Sequence, residues 1–297
     1  MKKLLFIYNP HAGKGRVRGK LGGILNAFAK AGWLVTVWPT QGRGDATVGA
    51  RTAADYDRVV CSGGDGTLHE VILGLLDLPR ESRPPLGYIP AGTTNDFARN
   101  LALPKSMEEQ AATAVTGTPR GVDLGKVNDR YFVYVAAFGA FSDTAYSTPQ
   151  ELKNIFGHLA YVMKGISELS SLKSWHLKVE HDGGVEEGDY IYGMISNTVS
   201  VGGLIGLPAD EVSLSDGLLE CILVRAPQSI AQLNTAVRAL ARQEYSEESG
   251  VVGLHSTHLR FTGEEPLTIT LDGEFGGEHT QLDVSAVNTP VDIVYGN

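Results

Sequence analysis

Cysteine is scarce in this chain of 297 residues, and its two cysteines exclude several kinds of site. Cys61 and Cys221 lie far apart in the sequence and fit no zinc-ligand spacing. Cys61 ends an apolar run, "RVVC", that is typical of a buried strand. We therefore expect reduced thiols and a cytosolic protein.

The chain also lacks a long hydrophobic run. No apolar stretch approaches the roughly 20 residues that a membrane-spanning helix needs. The opening "MKKLLFIYNP" resembles a signal peptide, but its apolar part ends at Tyr8 and is too short. A buried first strand is the better interpretation, and we expect a cytoplasmic protein without a transmembrane segment.

Positive charge is in deficit, because the formal net charge is −9. A nucleic-acid-binding surface would be basic, so we expect no nucleic-acid partner. One local exception lies in the first twenty residues, which hold six basic side chains and no acid. They form either a solvated helix start or a patch that meets phosphates: Lys2, Lys3, Lys14, Arg16, Arg18 and Lys20.

The first third of the chain alternates strand and helix patterns. Asp45 is predicted to cap one helix, and Ser106 with Glu109 has capping-box spacing at another. Such alternation predicts a parallel sheet with helices on both faces, in an α/β domain over residues 1–122. The predicted strands are "KLLFIY", "WLVTVW", "RVVC" and "LGYIP", and the predicted helices are "GKLGGILNAFAKAG", "DATVGARTAAD", "TLHEVILGLL" and "SMEEQAATAV".

After about Pro119 the pattern changes to short alternating strands. Two helices interrupt them, one near residues 150–171 and one that starts at Ser229. We predict a mostly antiparallel β-sandwich over residues 123–285. The last strand, within residues 286–297, could return to either domain. The predicted strands lie in "GVDLGKVNDRYFVYVAAFG", "SWHLKVEHDGG", "YIYGMISN", "GLLECILV", "HSTHLRF" and "LTITLDGE".

Glycine-bearing polar loops follow three of the predicted parallel strands: "NPHAGKG", "SGGDGT" and "AGTTNDF". Ligands of open parallel sheets bind at the carboxyl ends of the strands. Glycines let backbone N–H groups surround an anion, and the following helix N-terminus favours negative charge. The loops therefore predict a phosphate site. It is neither a Rossmann fingerprint nor a P-loop, because Arg18 stands where a third glycine is needed and neither Lys14 nor Lys20 fits the P-loop pattern.

Asp65 stands inside the "GGDGT" loop, where its charge would repel a nucleotide unless a cation lay between them. Mg²⁺ is typically bound by one or two carboxylates, waters and substrate phosphates. We therefore interpret Asp65 as the metal-side carboxylate of a nucleotide–Mg²⁺ site. The alternative is that Asp65 caps the helix after Gly66.

The motifs "YNPHAGKG", "GGDGTLHEV" and "IPAGTTNDFARNL", with "SDGLLE" and "LDGE" later, resemble the diacylglycerol kinase family and its bacterial soluble lipid-kinase branch. The resemblance covers the whole chain. It implies a nucleotide-binding α/β domain, a β-sandwich that binds the lipid substrate, and an active site between them. "GGDGT" alone is shared with NAD kinases, and "GTTNDFAR" discriminates between the families.

The resemblance also assigns site residues. Glu274 of "LDGE" becomes the candidate general base, with Asp65 the second catalytic residue. Asp216 with the carbonyls of Ser213 and Leu218 becomes a structural metal site, for which a plain Asp-Gly turn is the alternative. Asn95 and Asp96 would support the site. The implied nucleotide-binding residues are Asn9, Pro10, His11, Ala12, Gly13, Thr40, Gly64, Asp65, Gly66, Thr67, Leu68, His69, Glu70 and Thr93.

Two departures from the family pattern stand out. His69 replaces the usual Asn, and it could hydrogen-bond in the site or be an exposed helix residue. The segment "GLPADEVSLSDG" strays from the usual order near the metal.

The resemblance implies ATP and Mg²⁺ as cofactors and transfer of the γ-phosphoryl group to a lipid hydroxyl, such as that of diacylglycerol. It also implies transient contact with a membrane surface, and a homodimer is possible. One alternative is a kinase of NAD or another small soluble acceptor, which acceptor choice would reveal. The other is a non-catalytic lipid-binding protein, which would not consume ATP.

Overall fold

A computed structural model describes residues 1–93, 95–139, 172–197 and 213–296. The chain divides into two compact units. Unit 1 comprises Met1–Asp123 and Thr289–Asn297, and unit 2 comprises Leu124–Asn288. The helix expected near residues 150–171 lies outside the described residues.

Unit 1 is an α/β unit. Strand β1 pairs in parallel with β2 and β3, and β3 pairs in parallel with β4. Short 3-10 helices cover Ala53–Asp55, Arg80–Ser82 and Phe97–Leu101. The main elements are β1 (Lys2–Tyr8), α1 (Ala12–Lys30), β2 (Trp33–Pro39), α2 (Asp45–Arg51), β3 (Arg58–Gly63), α3 (Asp65–Leu76), β4 (Leu86–Pro90) and α4 (Met107–Thr116).

The central strands of unit 1 are mostly apolar because they are buried in its core. All six residues of β3 are buried, as expected of a strand covered on both faces. Phe6 of β1 stacks on Tyr8 and meets the ring of Phe28 edge-on, with ring centroids 5.3 Å apart in the second pair. Helix α1 therefore packs against β1 through its apolar face.

Helix ends differ from the expectations at two places. Asp45 is not a cap, because Gly44 holds that position and the Asp45 carboxylate accepts the N–H of Gln41 at 2.8 Å. Asp65 does not cap its helix either, since α3 begins at Asp65 and Gly64 is the cap residue. Ser106 caps α4 as predicted, because its side-chain oxygen accepts the N–H of Glu109. The Ser106 hydroxyl in turn donates to the Glu109 carboxylate.

Unit 2 is β-rich, and its strands pair antiparallel. Its core includes an edge-on contact between Phe138 and Phe261. Its elements are β5 (Thr118–Val127, which begins in unit 1), β6 (Arg130–Phe132), β7 (Val135–Gly139), β8 (Trp175–His181), β9 (Gly184–Ser196), β10 (Leu219–Arg225), α5 (Ile230–Arg242), β11 (Val251–Ser256), β12 (His258–Leu271) and β13 (Glu274–Tyr295).

Two predicted strands of unit 2 are divided. "HSTHLRF" breaks at Thr257, whose N–H and hydroxyl both donate to the carboxylate of Asp182. The strand after the Asn128-Asp129 turn breaks at Val133 and Tyr134, whose N–H groups donate to the Asp272 carboxylate at 2.7 and 3.0 Å.

The end of β13 lies in unit 1. Ile293 lies opposite Leu86 in a parallel pairing with β4. The guanidinium of Arg83 donates to the Pro290 carbonyl at 2.8 Å, and Arg80 forms an ion pair with Asp292. In the described ranges, no helix is long and apolar enough to span a membrane.

Candidate active site

The glycine-bearing loops of unit 1 meet at one edge of its sheet. Each follows the carboxyl end of a parallel strand, and backbone hydrogen bonds join them. The Asn9 N–H donates to the Ser62 carbonyl at 2.8 Å, and the Ala91 N–H donates to the Gly63 carbonyl at 2.8 Å. The backbone N–H of Thr40, which follows β2, donates to the Tyr8 carbonyl at 2.9 Å. Four chain segments therefore converge on this edge.

Two contacts between these loops require glycine. A Cβ on Gly13, where φ is +54°, would overlap the Ala91 carbonyl oxygen. A Cβ on Gly92 would lie 2.6 Å from the Gly64 Cα. Backbone therefore packs directly on backbone, and the glycines are needed for that approach.

The first loop adopts a left-handed turn before α1 becomes regular. Gly13, Lys14 and Gly15 have φ values of 54°, 60° and 79°. A left-handed conformation costs a residue such as Lys14 about 1 kcal/mol or more, so it persists only where its surroundings impose it. Successive backbone N–H groups in tight turns form concavities that bind anions.

Asn95 also has a positive φ, of 51°. Its side chain closes the loop after β4, because it accepts the Gly92 N–H at 2.8 Å and donates to the Gly92 carbonyl at 2.9 Å. Thr93 lies exposed at the tip of this loop. Asp96, which follows, is 1% exposed, and Arg99 Nε lies 3.6 Å from its Oδ1.

Asp65 is half-buried at the first position of α3. Its Oδ1 accepts the Phe97 N–H at 3.4 Å, which connects the "GGDGT" loop with the segment after Asp96. The carboxylate thus lies at a helix N-terminus, where negative charge is stabilised. Gly66 and Thr67 complete the first turn of α3.

Several residues expected at the nucleotide have other contacts. The Glu70 carboxylate accepts the N–H groups of Gly44 and Ala46 at 2.8 and 3.2 Å, so it holds the start of α2. The Leu68 side chain is buried in the core, which leaves only its backbone for a ligand. His69 is half-buried rather than exposed.

The segment that opens the first loop is shaped by Asn9. Its side-chain oxygen accepts the His11 N–H at 2.9 Å, and the Ala12 N–H donates to the Asn9 carbonyl at 3.3 Å. Pro10 is buried and His11 is exposed. Asn9 therefore positions this loop through a local turn.

In unit 2, Glu274 is the exposed first residue of β13 and lies opposite Leu271 across a two-residue hairpin. Asp272 and Gly273 both have positive φ, as this kind of hairpin requires. The Asp272 carboxylate accepts three N–H groups, of Val133, Tyr134 and Val135. No pattern in the sequence indicates this anchor, which holds the hairpin that carries Glu274.

The segment expected to bind a structural cation also lies in unit 2. Asp216 is exposed, and its Oδ1 accepts the Leu218 N–H at 3.0 Å. The Ser213 hydroxyl accepts the Ser215 N–H at 3.3 Å. Across the described residues, no three His, Cys, Asp or Glu side chains cluster as a metal site, so a cation here would need backbone oxygens or waters.

Glu220 of β10 is a buried acid that the sequence reasoning did not single out. It is 1% exposed, and burial raises its pKa to about 8, with the charge of Asp216 acting in the same direction. The sequence places Glu220 next to the "SDG" turn, but its burial depends on the tertiary fold.

Two protein families match the chain. The family described as diacylglycerol kinase catalytic domain matches residues 3–127, and that described as YegS C-terminal NAD kinase beta sandwich-like domain matches residues 138–290. A diacylglycerol kinase of Bacillus subtilis (strain 168) is 36% identical over 280 residues, which are 93% of this chain and 91% of that protein. The chain belongs to the diacylglycerol kinase family. It is therefore a kinase.

Other proteins and solved structures are similar to the chain over most of its length. A diacylglycerol kinase of Staphylococcus aureus (strain bovine RF122 / ET3-1) is 35% identical, over 93% of this chain and 87% of that protein. The crystal structure of a diacylglycerol kinase from Bacillus anthracis str. Sterne superposes with a TM-score of 0.77 at 26% identity, over 99% of this chain and 97% of that one. Another crystal structure from the same strain reaches a TM-score of 0.84 at 25% identity, over 99% and 98%.

Proposed function

We propose that this protein is an ATP-dependent lipid kinase that transfers the γ-phosphoryl group to a lipid hydroxyl, such as that of diacylglycerol. The observation that carries the proposal is the contact of glycine loops at one sheet edge, Gly13 on Ala91 and Gly64 on Gly92. Such backbone-lined edges suit phosphates. The kinase family and the names of its members support the lipid acceptor.

The loops would bind ATP mainly through the backbone. The left-handed turn at Gly13, Lys14 and Gly15 and the first turn of α3 offer N–H groups to the phosphates. Thr40 and Thr93 would contact the nucleotide, while Asn9, Asn95 and Glu70 hold the loops in shape. Phosphoryl transfer depends mainly on such positioning and on charge stabilisation.

Asp65 would hold the Mg²⁺ that accompanies ATP, directly or through a water. Its half-buried carboxylate at the helix N-terminus beside the glycines has the oxygen chemistry that Mg²⁺ requires. When bound, the ion neutralises charge that develops on the phosphates. The buried Asp96 adds a second carboxylate to the same loop edge.

Unit 2 would be the sandwich that binds the lipid, and Glu274 would be the general base. The Glu274 carboxylate is exposed at the end of a hairpin, where it is accessible to the lipid hydroxyl whose proton it would accept. The Asp272 carboxylate fixes the hairpin through three N–H groups. A structural cation would bind at Ser213, Asp216 and Leu218.

The lipid acceptor places the reaction at a membrane surface, and we infer that a cytoplasmic protein meets it transiently. Lys14, Arg16 and Arg18 are exposed at the start of α1 and could contact anionic headgroups. Lys20 forms an ion pair with Glu108 instead. A homodimer stays a prediction.

The test is an assay with labelled ATP and a panel of acceptors in mixed micelles, with products identified by mass. Diacylglycerol, phosphatidylglycerol, a sphingoid base and soluble NAD should each be offered. We expect Mg²⁺-dependent label in a lipid product. If only NAD becomes labelled, the acceptor is a soluble molecule and not a lipid. If the protein binds lipid without consuming ATP, it is a non-catalytic lipid-binding protein.

A further inference from the structure

Phe275 is the most exposed aromatic side chain among the described residues, and it stands directly beside Glu274. It is the second residue of β13 and is 66% exposed. Phenylalanine is usually buried, because its ring is large and apolar. Its ring is therefore available to a partner outside the chain. The other phenylalanines that the structure describes are each at most 1% exposed: Phe6, Phe28, Phe97, Phe132, Phe138 and Phe261.

A β-bulge directly after Phe275 sets the direction of its side chain. Thr270 lies opposite Phe275 and Ile269 lies opposite Gly277, so Gly276 is an extra residue in β13. A Cβ on Gly276 would lie 2.8 Å from the Ile269 carbonyl oxygen, so the close approach of the two strands requires glycine. Bulges bend a strand and re-aim its side chains, often next to active sites. The local backbone thus presents the ring to solvent.

The hairpin between β12 and β13 is also held by contacts with other segments. Arg130 of β6 donates from Nη1 to the Phe275 carbonyl at 2.9 Å. On the other side of the turn, the Asp272 carboxylate accepts the N–H groups of Val133 and Tyr134. A surface that meets the ring therefore has little backbone to order, and such preorganisation lowers the entropic cost of binding.

Charges of both signs surround the ring. Arg130 and its neighbour Asp129 are both exposed, and so is Glu274. The Lys126 ammonium lies 5.7 Å from the centroid of the Tyr131 ring. Attraction to a surface of one charge is weak where both signs are mixed, so the apolar ring would supply most of the binding energy at a lipid surface.

The position of Phe275 beside Glu274 relates the ring to the proposed general base. Adjacent Cα atoms of a chain are about 3.8 Å apart, and successive side chains of a strand point to opposite faces. Apolar side chains of interfacial proteins enter the boundary between headgroups and acyl chains by about 5–10 Å. A ring at that boundary leaves the neighbouring carboxylate in the polar layer above it, which is where the hydroxyl of a diacylglycerol lies.

We propose that Phe275 is a membrane contact of unit 2, whose ring enters a lipid surface and holds the Glu274 carboxylate at the depth of the acceptor hydroxyl. The inference rests on the proposed function and deepens it, because that function requires a membrane acceptor and names no apolar contact with the membrane. Phe275 is a positioning residue, since it contacts neither the nucleotide nor the reacting hydroxyl.

The direct experiment turns Phe275 into a fluorescent reporter. Phe275→Trp is mixed, without ATP, with phosphatidylcholine vesicles that contain diacylglycerol, and the emission of the wild-type protein, which has three tryptophans, is subtracted. The difference emission should shift to shorter wavelength as vesicles are added, because the indole ring leaves water. Val185→Trp is the matched control at another exposed apolar position of unit 2, and it should show no shift. No shift in Phe275→Trp, or an equal shift in Val185→Trp, would overturn the proposal.

Removal of the ring gives a second measurement. Phe275→Ser should bind the vesicles about 10-fold more weakly or worse, since burial of a phenylalanine is worth at least that factor. High salt should preserve this difference, because it arises from an apolar contact. In the kinase assay the half-saturating vesicle concentration should rise by a similar factor, with kcat at saturation and ATP affinity near wild type. Wild-type vesicle binding in Phe275→Ser, or a fall in kcat alone, would contradict the assigned role.

The two proposals fail separately. Vesicle binding is measured without ATP, so it does not depend on turnover. If diacylglycerol is phosphorylated but Phe275→Trp shows no shift, the membrane contact is wrong and the kinase proposal stands. If Phe275→Trp shifts while no lipid becomes labelled, the membrane contact stands and the lipid kinase proposal is wrong.

Discussion

Gly66→Ala should separate nucleotide binding from folding. Gly66 is the second residue of α3, and a Cβ built there has no heavy atom within 4 Å. Its φ lies outside the left-handed region that disfavours other residues. The substitution therefore meets no obstacle in the protein alone. If phosphates lie against this turn, however, the added methyl group occupies the approach to its N–H groups.

The two effects have opposite signs. Alanine in place of glycine stabilises a helix by up to about 1 kcal/mol, so the melting temperature should rise by roughly 2 °C in a chain of this size. Loss of one hydrogen bond to a charged phosphate costs about 1.5–3 kcal/mol. ATP should therefore bind at least about tenfold more weakly, since 1.4 kcal/mol is a factor of ten.

Calorimetric titration with ATP and Mg²⁺, together with thermal unfolding, measures both effects. Gly19→Ala is the matched control, because Gly19 also lies in a helix with no atom near its Cβ but stands outside the loops. It should raise stability and leave ATP affinity unchanged. If Gly66→Ala binds ATP as tightly as Gly19→Ala does, the phosphates do not lie on this turn.

Three other substitutions test separate parts of the proposal. Asp65→Asn should abolish turnover at ordinary Mg²⁺ with little change in melting temperature, and near-normal activity would refute the metal role. Glu274→Gln should lower kcat by about 10²–10⁴-fold and spare ATP affinity; the reverse result would make Glu274 a metal or nucleotide ligand. Asp272→Asn should destabilise unit 2 by about 1.5–3 kcal/mol, because one oxygen that accepts N–H groups becomes a donor. Thermal unfolding measures this loss, and Asp129→Asn in an exposed turn, which should cost little, is its control.

The order of strands and helices in unit 1 could be predicted from local pattern. Apolar runs such as β3 and periodic segments such as α3 depend on neighbours in sequence, and the structure places them where the pattern did. The end of α1 before Gly32 and the Ser106 cap of α4 followed from residue type alone. Such features are set by φ preference and by side chains that reach their own backbone.

Features set by distant residues could not be predicted. The break between β11 and β12 depends on Asp182, which accepts the Thr257 N–H from 75 positions away. The hydrogen bonds from the N–H and hydroxyl of Thr257 lower the pKa of Asp182. Likewise, Glu70 holds the start of α2 across 26 positions. Contacts between residues this far apart are not indicated by any periodic pattern in the sequence.

The candidate site was predictable in part for the same reason. Glycine loops after parallel strands share an edge in any fold of this kind, so their meeting follows from topology. Which glycines touch each other depends on tertiary packing, and the contact between Gly92 and Gly64 is an example. No sequence pattern distinguishes Glu220, because a single acid in an apolar strand is unusual only once its burial is known.

The return of β13 to unit 1 has a consequence for how the protein is made. Both connections leave unit 1 near the same point, where the Thr289 N–H donates to the buried Asp123 carboxylate at 2.6 Å. During synthesis, β4 can pair with β3 along one edge, but its other edge stays unpaired until Ile293 emerges from the ribosome. Unit 2 is complete in sequence before unit 1 is, although unit 1 begins first. The glycine-bearing loops of unit 1 are thus translated early, but the sheet that carries them is completed last.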